Sequence, residues 1–98
     1  MATFVALISE TQEGEKNIGK SVQRALSFDD RAVEFGAKII GQYWTMGSYD
    51  GVLVFESANE EAASALMLHL ASKGSVRTQT MRAFSADEMK SILELTGA

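Results

Sequence analysis

Eight residues combine ligand-holding chemistry with positions that a fold can present: Tyr43, Trp44, Tyr49, Asp50, His69, Arg77, Thr80 and Arg82. Tyr49 and Asp50 are adjacent, and a phenol beside a carboxylate can orient a polar substrate or share a proton. The same pair, after Gly47 and Ser48, also makes a turn, with Asp50 bonding local backbone and Tyr49 packed over a sheet edge. Tyr43 and Trp44 offer a flat apolar platform for a ligand, or an anchor in a core or interface. His69 is the only histidine. Its ring can act as a general base near neutral pH. No Ser or Cys nucleophile is placed beside it, and the carboxylate and second histidine of a metal site are missing, so a surface or interface histidine is the plainer reading. Arg77 and Arg82 fall near opposite ends of one strand and on opposite faces of it. Either one, facing a cavity between subunits with Thr78, Gln79 or Thr80 nearby, can hold an anionic or carbonyl group; an edge position or an ion pair is the alternative.

No cofactor is expected. Gly47 and Gly51 lack the Gly-x-Gly-x-x-Gly pattern and the following Lys-Ser/Thr of phosphate loops. The chain has no cysteine, which excludes disulfides and thiolate metal sites. The formal charge is −4 and no basic stripe is present, which argues against a nucleic-acid partner. The N-terminal apolar run, Phe4 to Ile8, is too short for a signal core or a membrane span, so the expected location is the cytoplasm with no membrane contact.

The elements that position these residues centre on a hairpin from Lys38 to Ser57. Both arms are rich in β-branched and aromatic residues, and Gly47 to Asp50 between them are turn formers. Gly47 is placed to take positive φ if the turn requires it. Ala2 to Ser9 reads as a short strand buried on both faces. Thr11 to Phe35 switches to helical spacing. A short first turn near Gln12 to Ile18, a break, and a main helix from about Ser21 are expected, with Ile18, Val22, Ala25 or Leu26, Asp29 and Val33 on one face. Gly36 is placed to end it.

Asn59 caps the next helix, with Glu60 and Glu61 in its first turn and Ala62, Ala63, Leu66, Met67 and Leu70 as its stripe. Val76 to Phe84 reads as a strand, with Arg77, Gln79 and Met81 on one face and Val76, Thr78, Thr80, Arg82 and Phe84 on the other. Ser85 to Glu88 is a capping box that starts a last helix, with Met89, Ile92 and Leu93 expected inward.

The 98 residues therefore make a single domain, residues 1–98, of the α+β class. The order is β-α-β-β-α-β plus a C-terminal helix, the ferredoxin-like arrangement, with a four-stranded antiparallel sheet and the first and third strands at its centre. Two helices cover one face. Strands 1 and 3 are apolar in both phases, with Phe4, Ala6 and Ile8 against Val5 and Leu7, and Val52 and Val54 against Leu53 and Phe55, so the other face is too apolar for a soluble monomer whichever phase it carries. A second subunit packed sheet to sheet is expected, giving a homodimer or a larger assembly of dimers.

The segments Tyr43 to Asp50 and Val76 to Phe84, with the strand Phe4 to Ser9, are similar to those of the GYD-domain family. Gly47, Tyr49 and Asp50 match its namesake Gly-x-Tyr-Asp segment. The resemblance covers nearly the full chain and implies a dimeric α+β barrel, with no established general activity. Related barrels include cofactor-independent monooxygenases and isomerases, a likeness of fold that does not carry function. The functional expectation is a self-associating domain that binds a small organic molecule in a sheet-side pocket, with a cofactor-independent oxygenase or isomerase reaction as its strongest form. The alternative is a non-catalytic assembly or protein-interaction module.

Overall fold

A computed structural model describes residues 1–98. The elements are β1 (Ala2–Glu10), α1 (Gln12–Lys16), a 3-10 turn (Ile18–Lys20), α2 (Ser21–Glu34), β2 (Lys38–Trp44), β3 (Gly51–Ser57), α3 (Glu60–Ser72), β4 (Val76–Ala83) and α4 (Ala86–Thr96). The sheet order is β2-β3-β1-β4 and every neighbouring pair is antiparallel. This is the ferredoxin-like arrangement expected, with β1 and β3 at the centre. No helix is long and apolar enough to cross a membrane.

The core lies between the sheet and helices α2 and α3. Phe4 and Ala6 of β1, Leu53 and Phe55 of β3, Phe28 and Ala32 of α2, and Ala63, Leu66 and Met67 of α3 are all buried. Alternation along β3 is strict, with Gly51, Leu53, Phe55 and Ser57 buried and Val52, Val54 and Glu56 half-buried on the other side. Phe4 and Phe55 stack with ring centroids 5.5 Å apart. The cross-strand register carries this inward face to Thr78, Thr80 and Arg82 on β4, and to Ile39, Gln42 and Trp44 on β2. Arg77, Gln79 and Met81 share the opposite, uncovered face.

Three expectations change. Of the stripe Ile18, Val22, Ala25 or Leu26, Asp29 and Val33, only Ala25 and Asp29 are half-buried; Ile18, Val22, Leu26 and Val33 are each more than half exposed. The inward side of α2 carries Phe28 and Ala32 instead. Val22, Leu26 and Val33 lie within α2 itself, where a second apolar pair one turn apart, Phe28 and Ala32, takes the inward side. The small Ala32 also lets the helix approach the sheet closely.

The last helix does not turn inward either. No residue of α4 is buried, and Met89 and Leu93 are nearly half exposed. Helix α4 leaves the end of β4 and makes no extensive contact with any element, which draws the molecule out to 51 Å in one dimension. Its start is as expected: the Ser85 hydroxyl accepts from the Glu88 amide at 3.1 Å, and the Glu88 carboxylate accepts from the Ser85 amide at 2.9 Å.

Third, the first arm of the hairpin is shorter than expected, while the second runs from Gly51 to Ser57 as expected. β2 stops at Trp44, and the connection runs from Thr45 to Asp50, closed by the Thr45 amide donating to the Asp50 carbonyl at 3.0 Å. Gly47 is not among the glycines at positive φ, whereas Gly36, at φ 72°, ends α2 as expected. Asp50 ties the connection down. Its amide donates to the Ile8 carbonyl at 2.7 Å and its carboxylate accepts from the Glu10 amide at 2.7 Å. These two bonds pull the hairpin connection onto the end of β1.

Candidate functional site

The eight candidate residues fall on three surfaces. The first is a cleft of about 1080 Å³ at the end of the sheet where β1 finishes, between the N-terminal end of α2, the C-terminal end of α3 and the hairpin connection. Trp44, Asp50 and His69 line it, and Tyr43 lies at its rim. Trp44 opposes Gly51 on the helix-covered face, while Tyr43 opposes Val52 on the uncovered face. His69 is half-buried, with its ring centroid 5.3 Å from that of Phe35. Asp50 is held by the end of β1, as its turn role requires.

The second surface is a groove of about 510 Å³ between α3 and β4. Thr80 and Arg82 line it with Phe4, Ala63 and Met67. Arg82 is already engaged. Its guanidinium lies 4.5 Å from the centroid of the Phe84 ring, pairs with Glu88 at 3.4 Å, and donates to the carbonyls of Thr3 and Ala83. These contacts fix the turn into α4. The Ser85 amide, first, and Arg82 hold the Glu88 carboxyl below its ordinary range.

The third surface is the uncovered sheet face. Its centre is Val5, Leu7, Val52 and Val54, all half-buried, with Met81 beside Val5. Tyr43 lies over Gly41, where a Cβ would stand 2.8 Å from its ring. Tyr49 reaches across to β4 and donates to the Gln79 side-chain oxygen at 2.7 Å. Arg77 is exposed on the same face, with no ion-pair partner in the chain. Tyr49 and Asp50 therefore serve different surfaces, although they are adjacent in sequence.

Two charged features were not legible beforehand. Glu10 and Arg24 pair at 2.7 Å in the cleft lining, with the Glu10 side chain only 9% exposed. Nothing local in the sequence links a residue at the end of a strand to one fourteen positions later in a helix. Asp29, on the flank of α2 facing β2, is the other. Its Oδ1 is buried without a partner. Burial raises its pKa above the ordinary aspartate value, the neighbouring Asp30 adds to the rise, and Gln42 offsets part of it. A carboxyl with a raised pKa binds its proton more tightly in the folded state. Its stability contribution is present at low pH and is lost as pH rises through the folded pKa. Asp29→Asn is therefore expected to raise the melting temperature at neutral pH, with the gain closing on acidification below the ordinary aspartate pKa. Thermal melts across that range check it, and a gain that grows on acidification contradicts it.

The family model described as the GYD domain matches residues 4–93. A Thermus thermophilus protein named glutamine synthetase and cystathionine beta-lyase binding protein is 33% identical over 90 residues, covering 91% of this chain and 95% of that protein. The crystal structure of TTHA0845, also from Thermus thermophilus, aligns with a TM-score of 0.57 at 23% identity, over 88% of this chain and 96% of that one; this likeness is one of fold. The segments that carry the Gly-x-Tyr-Asp and β4 motifs lie inside the matched span, and the chain belongs to the GYD-domain family.

Proposed function

We propose that this domain is a protein-interaction module that works as a homodimer or a larger assembly of dimers, joined through the uncovered sheet face into an α+β barrel in the cytoplasm. The observation that carries the reading is that face. Val5, Leu7, Val52, Val54 and Met81 form one apolar patch across three strands, and no helix of the chain lies over it. A patch of this kind on a small domain marks an interaction surface. Tyr43, Tyr49 and Arg77 at its margin supply the aromatic and arginine character that interfaces favour. The relative from Thermus is named for binding two other proteins, which supports the same reading for this chain.

The test is a charge placed at the patch centre. Wild-type protein is expected to sediment at micromolar concentration at or above about twice the 10.6 kDa chain mass. Val54→Lys should return it to the mass of one chain with its circular dichroism unchanged, because Val54 is not a core residue. A wild-type protein that sediments as one chain overturns the assembly. Titration with purified glutamine synthetase and cystathionine beta-lyase tests the partners, and failure to bind either removes the support drawn from the relative.

A second reading, binding of a small organic molecule, is favoured by the cleft beside Trp44. Its volume is at the upper limit of small-molecule sites, and most of the surface it exposes is apolar. The oxygenase or isomerase form of this reading has no support in the geometry. Asp50 and His69 share the cleft, but the Asp50 carboxylate is held by the Glu10 amide, and Tyr49, Arg77 and Arg82 lie on the other two surfaces, whereas catalysis needs such groups convergent around one reacting atom.

A further inference from the structure

We infer that the cleft beside Trp44 takes an amphiphilic carboxylate, with its apolar body against Trp44 and its carboxylate held by Lys20 and Lys73. The inference rests on the small-molecule reading of the cleft and is independent of the sheet-face interface.

The charges of the lining decide the sign of the ligand. The chain as a whole carries −4. In the cleft, the Glu10 carboxylate is paired with Arg24 at 2.7 Å, and the Asp50 carboxylate accepts from the Glu10 amide at 2.7 Å, which occupies one oxygen without cancelling its charge. Arg31 pairs with Glu34 at 2.7 Å. Lys20 and Lys73 also line the cleft, and neither has an ion-pair partner in the chain. Lys20 precedes α2 and Lys73 follows α3, so the two lysines reach the cleft from different helix ends. The two ammonium groups without a partner outnumber the one such carboxylate, Asp50, so the lining favours an anion over a cation. Two lysines without a glycine-rich loop fit one carboxylate better than a polyphosphate.

The apolar requirement comes from the rest of the lining. Ile8, Ile18, Val22, Trp44, Met46 and Leu70 present aliphatic and aromatic surface to the cleft. Ile18, Val22 and Met46 are all more than half exposed. A ligand with a hydrocarbon body removes that surface from water, which a fully polar anion does not.

Trp44 is the only tryptophan, so its emission reports on this cleft alone. The probes are decanoate and decan-1-ol, which share a chain and differ in charge. Decanoate is expected to shift and saturate Trp44 emission, and to bind about tenfold more tightly than the alcohol, as two exposed charge contacts allow. The double variant Lys20→Gln, Lys73→Gln should lose that advantage and keep the alcohol's affinity, with circular dichroism unchanged. Equal binding of the two probes to wild type overturns the carboxylate assignment while the small-molecule reading stands. A preference of about tenfold that survives in the double variant overturns the roles of the lysines. No response of Trp44 to either probe overturns the small-molecule reading itself and leaves the cleft to a macromolecular partner.

Discussion

Replacement of Gly14 by alanine is expected to lower the melting temperature by roughly 15 °C, a loss of about 3 kcal/mol for a domain of this size. Gly14 is buried in α1, and a Cβ there would stand 2.0 Å from the carbonyl oxygen of Ser75. The obstacle is backbone, not the end of a flexible side chain. The backbone at Ser75 is also held in place. Its carbonyl accepts from the Thr11 amide at 3.0 Å, and the Thr11 hydroxyl donates to the Gly74 carbonyl at 2.6 Å. Relieving the clash means pulling α1 away from the α3–β4 connection and breaking these bonds. Gly19 is the control. A Cβ there meets nothing within 4 Å and its φ is not positive, so Gly19→Ala is expected to be neutral or to stabilise by about 0.5 kcal/mol. Equal melting temperatures for the two variants would show that α1 does not sit against Ser75.

Phe55→Ala has the largest expected effect in the core, about 4 kcal/mol. Phe55 is fully buried at the middle of β3, opposite Phe4 on one neighbour and Ile39 on the other. Truncation loses the stacked ring contact with Phe4 and opens a cavity that the paired strands cannot close. Whole domains of this kind are stable by about 5–15 kcal/mol, so the variant approaches the limit of folding. Val54, one residue earlier, points to the other face and is only half-buried. Val54→Ala should cost about 1 kcal/mol in the isolated chain. Urea denaturation of the two variants compares the faces, and a Phe55→Ala cost as small as that of Val54→Ala would place the core elsewhere.

The fold was legible where local chemistry leaves one solution. The Asn59 and Ser85 caps need only a side-chain oxygen three residues before an amide. Asn59 Oδ1 accepts from the Ala62 amide at 2.8 Å, and both bonds of the Ser85 box form. The parity of β4 followed from a period of two, which is why Arg77 and Arg82 lie on the expected faces. The inward side of α2 was not legible, because its sequence holds two apolar stripes. Val22, Leu26 and Val33 make the longer one, yet Phe28 with Ala32 gives closer packing on the sheet. For the candidate site, strand parity and helix spacing assign each residue a face and an end, but not which neighbouring element closes over it. Tyr49 and Asp50 illustrate the limit. One peptide bond apart, they bond to β4 and β1 respectively, because the connection turns between them.

Helix α4 has a consequence for what unfolding means in this protein. It is 11 residues long, held by its capping box and the Arg82–Glu88 pair, with no buried side chain. Helices of that length are marginal in water when nothing packs on them. The sheet with α2 and α3 is expected to melt as one cooperative unit, and α4 to open on its own at a much smaller free energy. A single free energy of unfolding therefore describes the core and not the whole chain. Any partner that covers Met89, Ile92 and Leu93 would fuse the two into one transition.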